Sequence, residues 1–218
     1  MIRCCIFDLD GTLINTVDAL KRTTNLVLDQ LGCSHVNDAD IKRIVGDGFR
    51  NQMKRALALT GDPELTHYEK AEAIYPTIFA ENCLYNIRAY DGICELLEEL
   101  KARNIKVAVL TNKPHDRAVE NLDIVFGKDY FDYVLGEQTG IPKKPDPAGV
   151  RRVMNRLDVC EEECLYFGDT NTDMRTGLGA GLTTVGVTWG FRGREELESF
   201  HPQYIIDHPM QVFDKIIK

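Results

Sequence analysis

The stretch Ile6-Phe7-Asp8-Leu9-Asp10-Gly11-Thr12 closes an apolar run, Met1 to Phe7 with only Arg3 interrupting, with two acids and a Gly-Thr turn. Read as a buried strand, the run delivers both acids at its carboxyl end. Residues two apart in a strand point to the same side, so Asp8 and Asp10 share a face while Leu9 packs behind them. Carboxylates held that close repel each other unless a cation or a proton intervenes. The pair therefore suggests a metal ion, an acid/base pair, or both. Asp and Gly are also ordinary in a polar turn after a strand, so the rest of the chain has to decide.

The chain has 218 residues, enough for one large domain or for one domain with a smaller insert. Its composition, 44% hydrophobic and 28% charged, is that of a globular protein. A formal net charge of −8 argues against a general nucleic-acid or acidic-membrane binder but leaves room for a small anionic substrate in a locally cationic pocket. Seven cysteines, an odd number without a Cys-x-x-Cys pair, predict a reducing, cytoplasmic setting. Cys160 and Cys164 have no His nearby to complete a zinc site. Acids follow the first apolar run at once, so no signal-peptide layout is read, and no stretch approaches the roughly 20 apolar residues of a membrane span.

After Thr12 the period changes. Leu20, Val27, Leu28 and Leu31 recur at helical spacing between Val17 and Leu31, and Gly32 supplies a stop. Asn37 or Asp38 caps a short helix through Ile41, Ile44 and Val45. The tight loop Gly46-Asp47-Gly48 precedes a helix from Phe49 to Leu59. Asp62-Pro63 opens a further helical segment, broken near Pro76 and resuming to Cys83. Nothing between residues 16 and 85 reads as a sheet.

From Asp91 strand and helix alternate. Gly92 to Arg103 is helical; Ile105 to Leu110 is an apolar run suited to a strand buried on both faces. His115 to Phe126 is helical, Tyr133-Val134-Leu135 a strand, and Pro145 opens another helix. Leu165-Tyr166-Phe167 is a strand ending at Gly168-Asp169, followed by a helix from Asn171 to Leu178. Thr183 to Val187 and Tyr204-Ile205-Ile206 are strands. Such alternation predicts an α/β fold with a doubly wound parallel sheet, a Rossmann-like core. Residues 1–15 and 86–218 form that core, and residues 16–85 form a small all-helical cap inserted after the first strand.

In open α/β sheets ligands bind beyond the carboxyl ends of the strands. Those ends carry Asp8 and Asp10, then Thr111-Asn112, then the loop Lys143-Lys144-Pro145, then Asp169 with Asp173. These acids, with a hydroxyl, an amide and a lysine, suit magnesium, which takes hard oxygen ligands and keeps several waters, together with a phosphate group. In kind, order and strand-end placement, Asp8-Leu9-Asp10-Gly11-Thr12, Thr111, Lys144 before proline, and Gly168-Asp169 with Asp173 resemble the four motifs of the haloacid dehalogenase superfamily. Thr111-Asn112-Lys113-Pro114, Val45-Gly46-Asp47-Gly48 and Arg55-Ala56-Leu57 are similar to its phosphoglycolate phosphatase-like branch. The resemblance spans essentially the whole chain. One departure is Asn15-Thr16, where many relatives have Asp-Ser at the cap linker.

The resemblance implies a role for each residue. Asp8 is the nucleophile that forms an aspartyl-phosphate; Asp10 protonates the leaving oxygen and then deprotonates the attacking water. Mg²⁺ binds the Asp8 carboxylate, the Asp10 backbone carbonyl and Asp169. Thr111 and Lys144 stabilise the transferring phosphoryl group, and Asp173 supports metal-bound water or Lys144 from behind. Thr12 and Asn112, with Gly46, Asp47, Gly48 and Arg50 of the cap, form the expected substrate-binding set. Arg50 could meet a substrate carboxylate or stand as a solvated helix charge.

Other features point away from chemistry. Gly177, Gly179 and Gly181 follow a helix instead of opening one, where phosphate is repelled. The five histidines lack ligand spacing, and Trp189, Phe191 and Arg192 read as packing near the rim. The expected activity is magnesium-dependent hydrolysis of a small phosphorylated metabolite, 2-phosphoglycolate first, by a monomer or homodimer without nucleic-acid or membrane partners. A phosphosugar mutase, an inorganic pyrophosphatase and a non-catalytic binding protein are the alternatives. A dehalogenase has no use for the Asp10 acid, and nothing around Lys54 activates it for phosphonate chemistry.

Overall fold

A computed structural model describes residues 1–217; Lys218, the last residue of the expected core, lies outside them. The chain divides into two compact units, one of Met1–Asn15 with the chain from Ala89 onward, the other of Thr16–Arg88.

In chain order the strands are β1 (Cys4–Phe7), β2 (Ile14–Asn15), β3 (Arg88–Ala89), β4 (Lys106–Pro114), β5 (Tyr133–Glu137), β6 (Cys164–Gly168), β7 (Thr183–Val187) and β8 (Tyr204–Ile206). β2 and β3 pair as a two-stranded sheet, and the other six form one sheet in the order β5-β4-β1-β6-β7-β8. Every pairing in the large sheet is parallel, as the alternating pattern predicts. From β1 the chain winds outward through β4 and β5, then crosses to β6 on the other side. β1 is therefore the switch point, where loops diverge and leave a crevice at the carboxyl ends.

Apolar runs without alternation form these strands because both faces are covered. No side chain of β1 or of Cys164–Phe167 is more than 1% exposed. Phe7 stacks on Phe167 across the pairing at 4.6 Å between ring centroids. Burying each of the large apolar side chains among them contributes about 1.5–3 kcal/mol, which holds the centre of the sheet together.

The Thr16–Arg88 unit is helical: α1 (Val17–Leu31), α2 (Asp38–Ile44), α3 (Phe49–Leu59) and α4 (Tyr68–Asn82). α1 ends on Gly32 in the left-handed region at φ 71°, which accounts for that glycine. α2 begins with a capping box between Asn37 and Asp40. α4 differs from expectation at both points. It starts at Tyr68 because Asp62 accepts the N–H groups of Thr66 and His67, each at 2.9 Å, and folds residues 62–67 into a turn. It also runs unbroken through Pro76, with Ala71, Tyr75, Ile78 and Phe79 buried on either side of the missing N–H.

In the first unit the helices are α5 (Ile93–Ala102), α6 (His115–Phe126), α7 (Ala148–Leu157), α8 (Asn171–Gly179), α9 (Arg194–Glu198) and α10 (Gln211–Lys215). Val150, Val153, Met154 and Leu157 of α7 pack on the face carrying Ile6, Ala108, Leu110 and Tyr166. The helix expected from Pro145 begins at Ala148 instead. Lys144–Pro145 is a cis peptide, Asp146 precedes a second proline and is thereby biased away from helix, and its Oδ1 accepts the Ala148 N–H at 2.8 Å. The two five-residue helices α9 and α10 were too short to show a period. All seven cysteines are free, and among the described residues no helix is long and apolar enough to cross a membrane.

Candidate active site

The site is built where β1 stops. Asp8 still donates its backbone N–H to Phe167 O at 2.9 Å, so the strand pairing carries the first acid to the sheet edge. The chain then turns sharply, with the N–H groups of Thr12, Leu13 and Ile14 all directed at Leu9 O. Gly11 sits at φ 91°, and a Cβ there would lie 2.2 Å from Asp169 Oδ2. Only glycine permits that approach.

Each acid of the opening stretch meets its own lysine. Lys144 Nζ lies 2.7 Å from Asp8 Oδ1 and 2.7 Å from Asp173 Oδ1. Lys113 Nζ donates to Asp10 Oδ1 at 2.7 Å, and the Lys113 side chain is only 2% exposed. Nothing local in the sequence marks Lys113 for this contact, whose partner lies 103 residues away.

Lys144 is fastened from both ends. The Asn112 amide donates to Lys144 O at 3.0 Å and accepts the Lys144 N–H at 2.9 Å, so this side chain holds the Lys144–Pro145 turn. Asp173 is in turn set by the α8 capping box, its Oδ2 accepting from Thr170 N at 3.1 Å and Thr170 Oγ1 at 2.6 Å. Tyr166 on β6 donates its hydroxyl to Asp173 Oδ1 at 3.2 Å. The Thr-x-x-Asp spacing of 170–173 was a readable capping signal; Tyr166 carried none.

Asp169, fully buried, accepts from Thr12 Oγ1 at 3.1 Å and from the Phe191 N–H at 2.7 Å. The Trp189 indole donates to Thr12 O at 2.9 Å. A Cβ at Gly190 would lie 2.4 Å from Asp169. The loop after β7, read as packing, is thus also the wall that seats Asp169. β4 runs on to Pro114, past its expected end at Leu110, with a register shift against β5 between those residues. This places Thr111, Asn112 and Lys113 within the strand. Thr111 Oγ1 accepts the Lys113 N–H at 3.2 Å, which leaves the hydroxyl proton to donate elsewhere.

Burial and the nearby Asp173 charge push the Asp8 carboxyl up to about 7 against the pull of Lys144. Burial, then Asp173 and Asp8, raise Asp169 well above the usual carboxylate range. Burial opposes the Lys144 charge, but Asp173 and Asp8 outweigh it, so Lys144 stays an ammonium.

Residues 5–187 match the family model described as haloacid dehalogenase-like hydrolase. The chain belongs to the haloacid dehalogenase-like hydrolase family. It is 32% identical over 212 residues to a phosphoglycolate phosphatase of Rhodospirillum rubrum, covering 95% of this chain and 88% of that one. A phosphoglycolate phosphatase of Colwellia psychrerythraea is 31% identical over 212 residues, covering 93% and 91%. A crystal structure of a candidate phosphoglycolate phosphatase from Lactobacillus delbrueckii subsp. bulgaricus superposes with a TM-score of 0.92 at 28% identity, covering 98% of both chains.

Hydrolases of this family that act on phosphate generally require a divalent metal, and the donor set here fits one. Asp8, Asp169 and Asp173 are all buried and bring carboxylate oxygens within 4.8 Å of one another. Lys144 pairs with Asp8 and Asp173, and burial together with the neighbouring acids raises the carboxyls of Asp8 and Asp169. Hard oxygen donors with excess negative charge are what such a cation relieves.

Gly46, Asp47, Gly48 and Arg50 belong to the helical unit. Gly46 and Gly48 lie at φ 121° and 95°. Asp47 between them is held by both Arg55 nitrogens, at 2.7 and 2.6 Å, and by Asn51 at 3.1 Å. Arg50 pairs with Glu72 and has its guanidinium 5.0 Å from the Phe49 ring centroid.

Proposed function

We propose that this hydrolase is a Mg²⁺-dependent phosphomonoesterase that works through an aspartyl-phosphate at Asp8, with 2-phosphoglycolate as its first candidate substrate. The observation that carries the reading is the separate pairing of the two acids, Asp8 with Lys144 and Asp10 with Lys113, each at 2.7 Å. One acid is then free to react at phosphorus while its neighbour handles protons. The names of the Rhodospirillum and Colwellia relatives support the choice of substrate.

In this reading an Asp8 oxygen attacks phosphorus, and the bond from phosphorus to the ester oxygen breaks. Asp10 gives the departing oxygen a proton. In the second half Asp10 takes a proton from water as that water attacks the same phosphorus. The bond to Asp8 then breaks and free phosphate leaves. Lys144 opposes the negative charge gathering on the phosphoryl oxygens, and Thr111 donates its hydroxyl to one of them. Asp8 and Asp169, with the Asp10 carbonyl, would hold Mg²⁺, whose chemistry is to offset repulsion between nucleophile and phosphate. Thr12 and Asn112, expected at the substrate, are better cast as the groups that hold Asp169 and Lys144.

Phosphate release from a panel of small phosphomonoesters, sugar phosphates and pyrophosphate, with and without Mg²⁺, tests this. The parent should release phosphate only with metal, and Asp8→Asn should lose at least ~10³-fold. A parent inactive on the whole panel, or an Asp8→Asn protein as active as the parent, would sink the assignment.

A further inference from the structure

We propose that Lys113 is a positioning residue for Asp10, anchoring one carboxylate oxygen so that the other meets the leaving-group oxygen of the substrate. The inference rests on the reading of Asp10 as the proton donor given above. Its own basis is the pairing of Lys113 Nζ with Asp10 Oδ1 at 2.7 Å, by a side chain that is 2% exposed. Lysine almost never gives up solvent so completely unless it is paired, because burying an ammonium is costly. A lysine needed only to fill space on β4 would be replaced by an apolar side chain at no loss.

The geometry also explains why the anchor comes from β4. Asp10 lies in the turn after β1, where the backbone reverses at Gly11, and a short side chain there has several rotamers open to it. Asp8, by contrast, is still tied by its backbone to β6. Thr111 Oγ1 accepts the Lys113 backbone N–H at 3.2 Å, so the strand that presents a phosphate donor also fixes the root of the lysine. Oδ1 is committed to Lys113. Oδ2 is then the oxygen whose proton passes to the ester oxygen as the bond from phosphorus to that oxygen breaks and the electron pair stays on oxygen.

A proton donor matters only when the departing group is a poor one. An alkoxide must be protonated as it leaves, whereas acetate or nitrophenolate departs without help. Values of kcat/KM report the chain of steps up to departure and exclude the later attack of water. The experiment measures kcat/KM of Lys113→Met, Lys113→Arg, Asp10→Asn and the double variant Lys113→Met/Asp10→Asn. One substrate is an alkyl ester, 2-phosphoglycolate; the other is activated, acetyl phosphate or p-nitrophenyl phosphate.

Lys113→Met should lose ~10²-fold or more on the alkyl ester, the scale of general acid catalysis, and less than ~10-fold on the activated one. Turnover of the activated ester also reports that the variant is folded. Lys113→Arg should recover part of the loss. The double variant should be no worse than Asp10→Asn alone on the alkyl ester, since both changes remove one function. Equal losses on both esters, or losses that multiply in the double variant, would overturn the inference and leave Lys113 a structural residue. If Asp10→Asn is impaired selectively and Lys113→Met is not, only the inference falls. If Asp10→Asn keeps the parent's rate on the alkyl ester, the donor role of Asp10 and the inference fall together.

Discussion

Around Lys144, a single ammonium bridges Asp8 and Asp173 at 2.7 Å each, and the peptide that carries it is gripped by the Asn112 amide. Neither contact could be read from Asn112 itself, which in the sequence is one more polar residue at a strand end. Because the amide acts through Lys144, truncating it should weaken the transition state more than substrate binding. Losing two buried hydrogen bonds costs about 1–3 kcal/mol, so Asn112→Ala should lower kcat by roughly 10- to 100-fold with KM within about threefold. Asn112→Asp should be worse, since it keeps no N–H for Lys144 O and adds a negative charge beside the cluster. Steady-state kinetics on one phosphomonoester decide this: a rise in KM at constant kcat would return Asn112 to direct substrate contact.

At the level of elements, the helices whose ends carry their own chemistry were legible. Val17–Leu31 and Phe49–Leu59 occupy the expected residues, and Asn37 caps α2. Elements set by distant partners were not: β4 outruns its apolar stretch, and α7 waits for the Asp146 side chain. α8 shows both kinds of information. Its start is written locally in the Thr170–Asp173 capping box. Its fit is tertiary, because a Cβ at Gly177 would lie 2.4 Å from Thr184 Oγ1 and 3.0 Å from the Tyr166 ring. Gly177, grouped in the sequence with glycines that follow the helix, is thus a packing glycine inside it. Gly177→Ala should overpack the seam between α8 and the sheet and cost about 1–3 kcal/mol, measured by denaturant unfolding. A neutral or stabilising result, as helix propensity alone would give, would show that the seam yields.

For the whole molecule, the site is a store of unfavourable charge that a metal would relieve. The Asp8 carboxyl is held up to about 7 in the folded chain, against about 3.9 when unfolded. Between those values the native state keeps a proton that the unfolded state has lost, so this group's contribution to stability falls as pH rises from about 4 to about 7. Divalent cations that bind only the native site oppose that loss. The gain in Tm on adding Mg²⁺ should therefore be larger at pH 8 than at pH 5 by several degrees, at about 2–4 °C per kcal/mol for a chain of this size. Calorimetry with a chelator and with Mg²⁺ at both pH values, on the parent and on Asp8→Asn, measures it. The same gain at both pH values, or one that survives in Asp8→Asn, would place the cation elsewhere.

Taken by itself, the sequence determined the six strands of the parallel sheet, the longer helices between them, and the rim on which Asp8, Asp10, Thr111, Lys144, Asp169 and Asp173 gather. Periodicity, turn chemistry and strand polarity are local properties, and they carry that much. Tertiary structure alone decided which cation faces which acid, that Thr12 and Asn112 hold Asp169 and Lys144, and that the loop after β7 seats Asp169. Those pairings join residues up to 157 positions apart. They depend on distances that only the packed sheet sets, and no pattern along the chain encodes them. Asp8 and Asp10 are one residue type in one turn, and their difference lies in the two lysines that other strands bring to them.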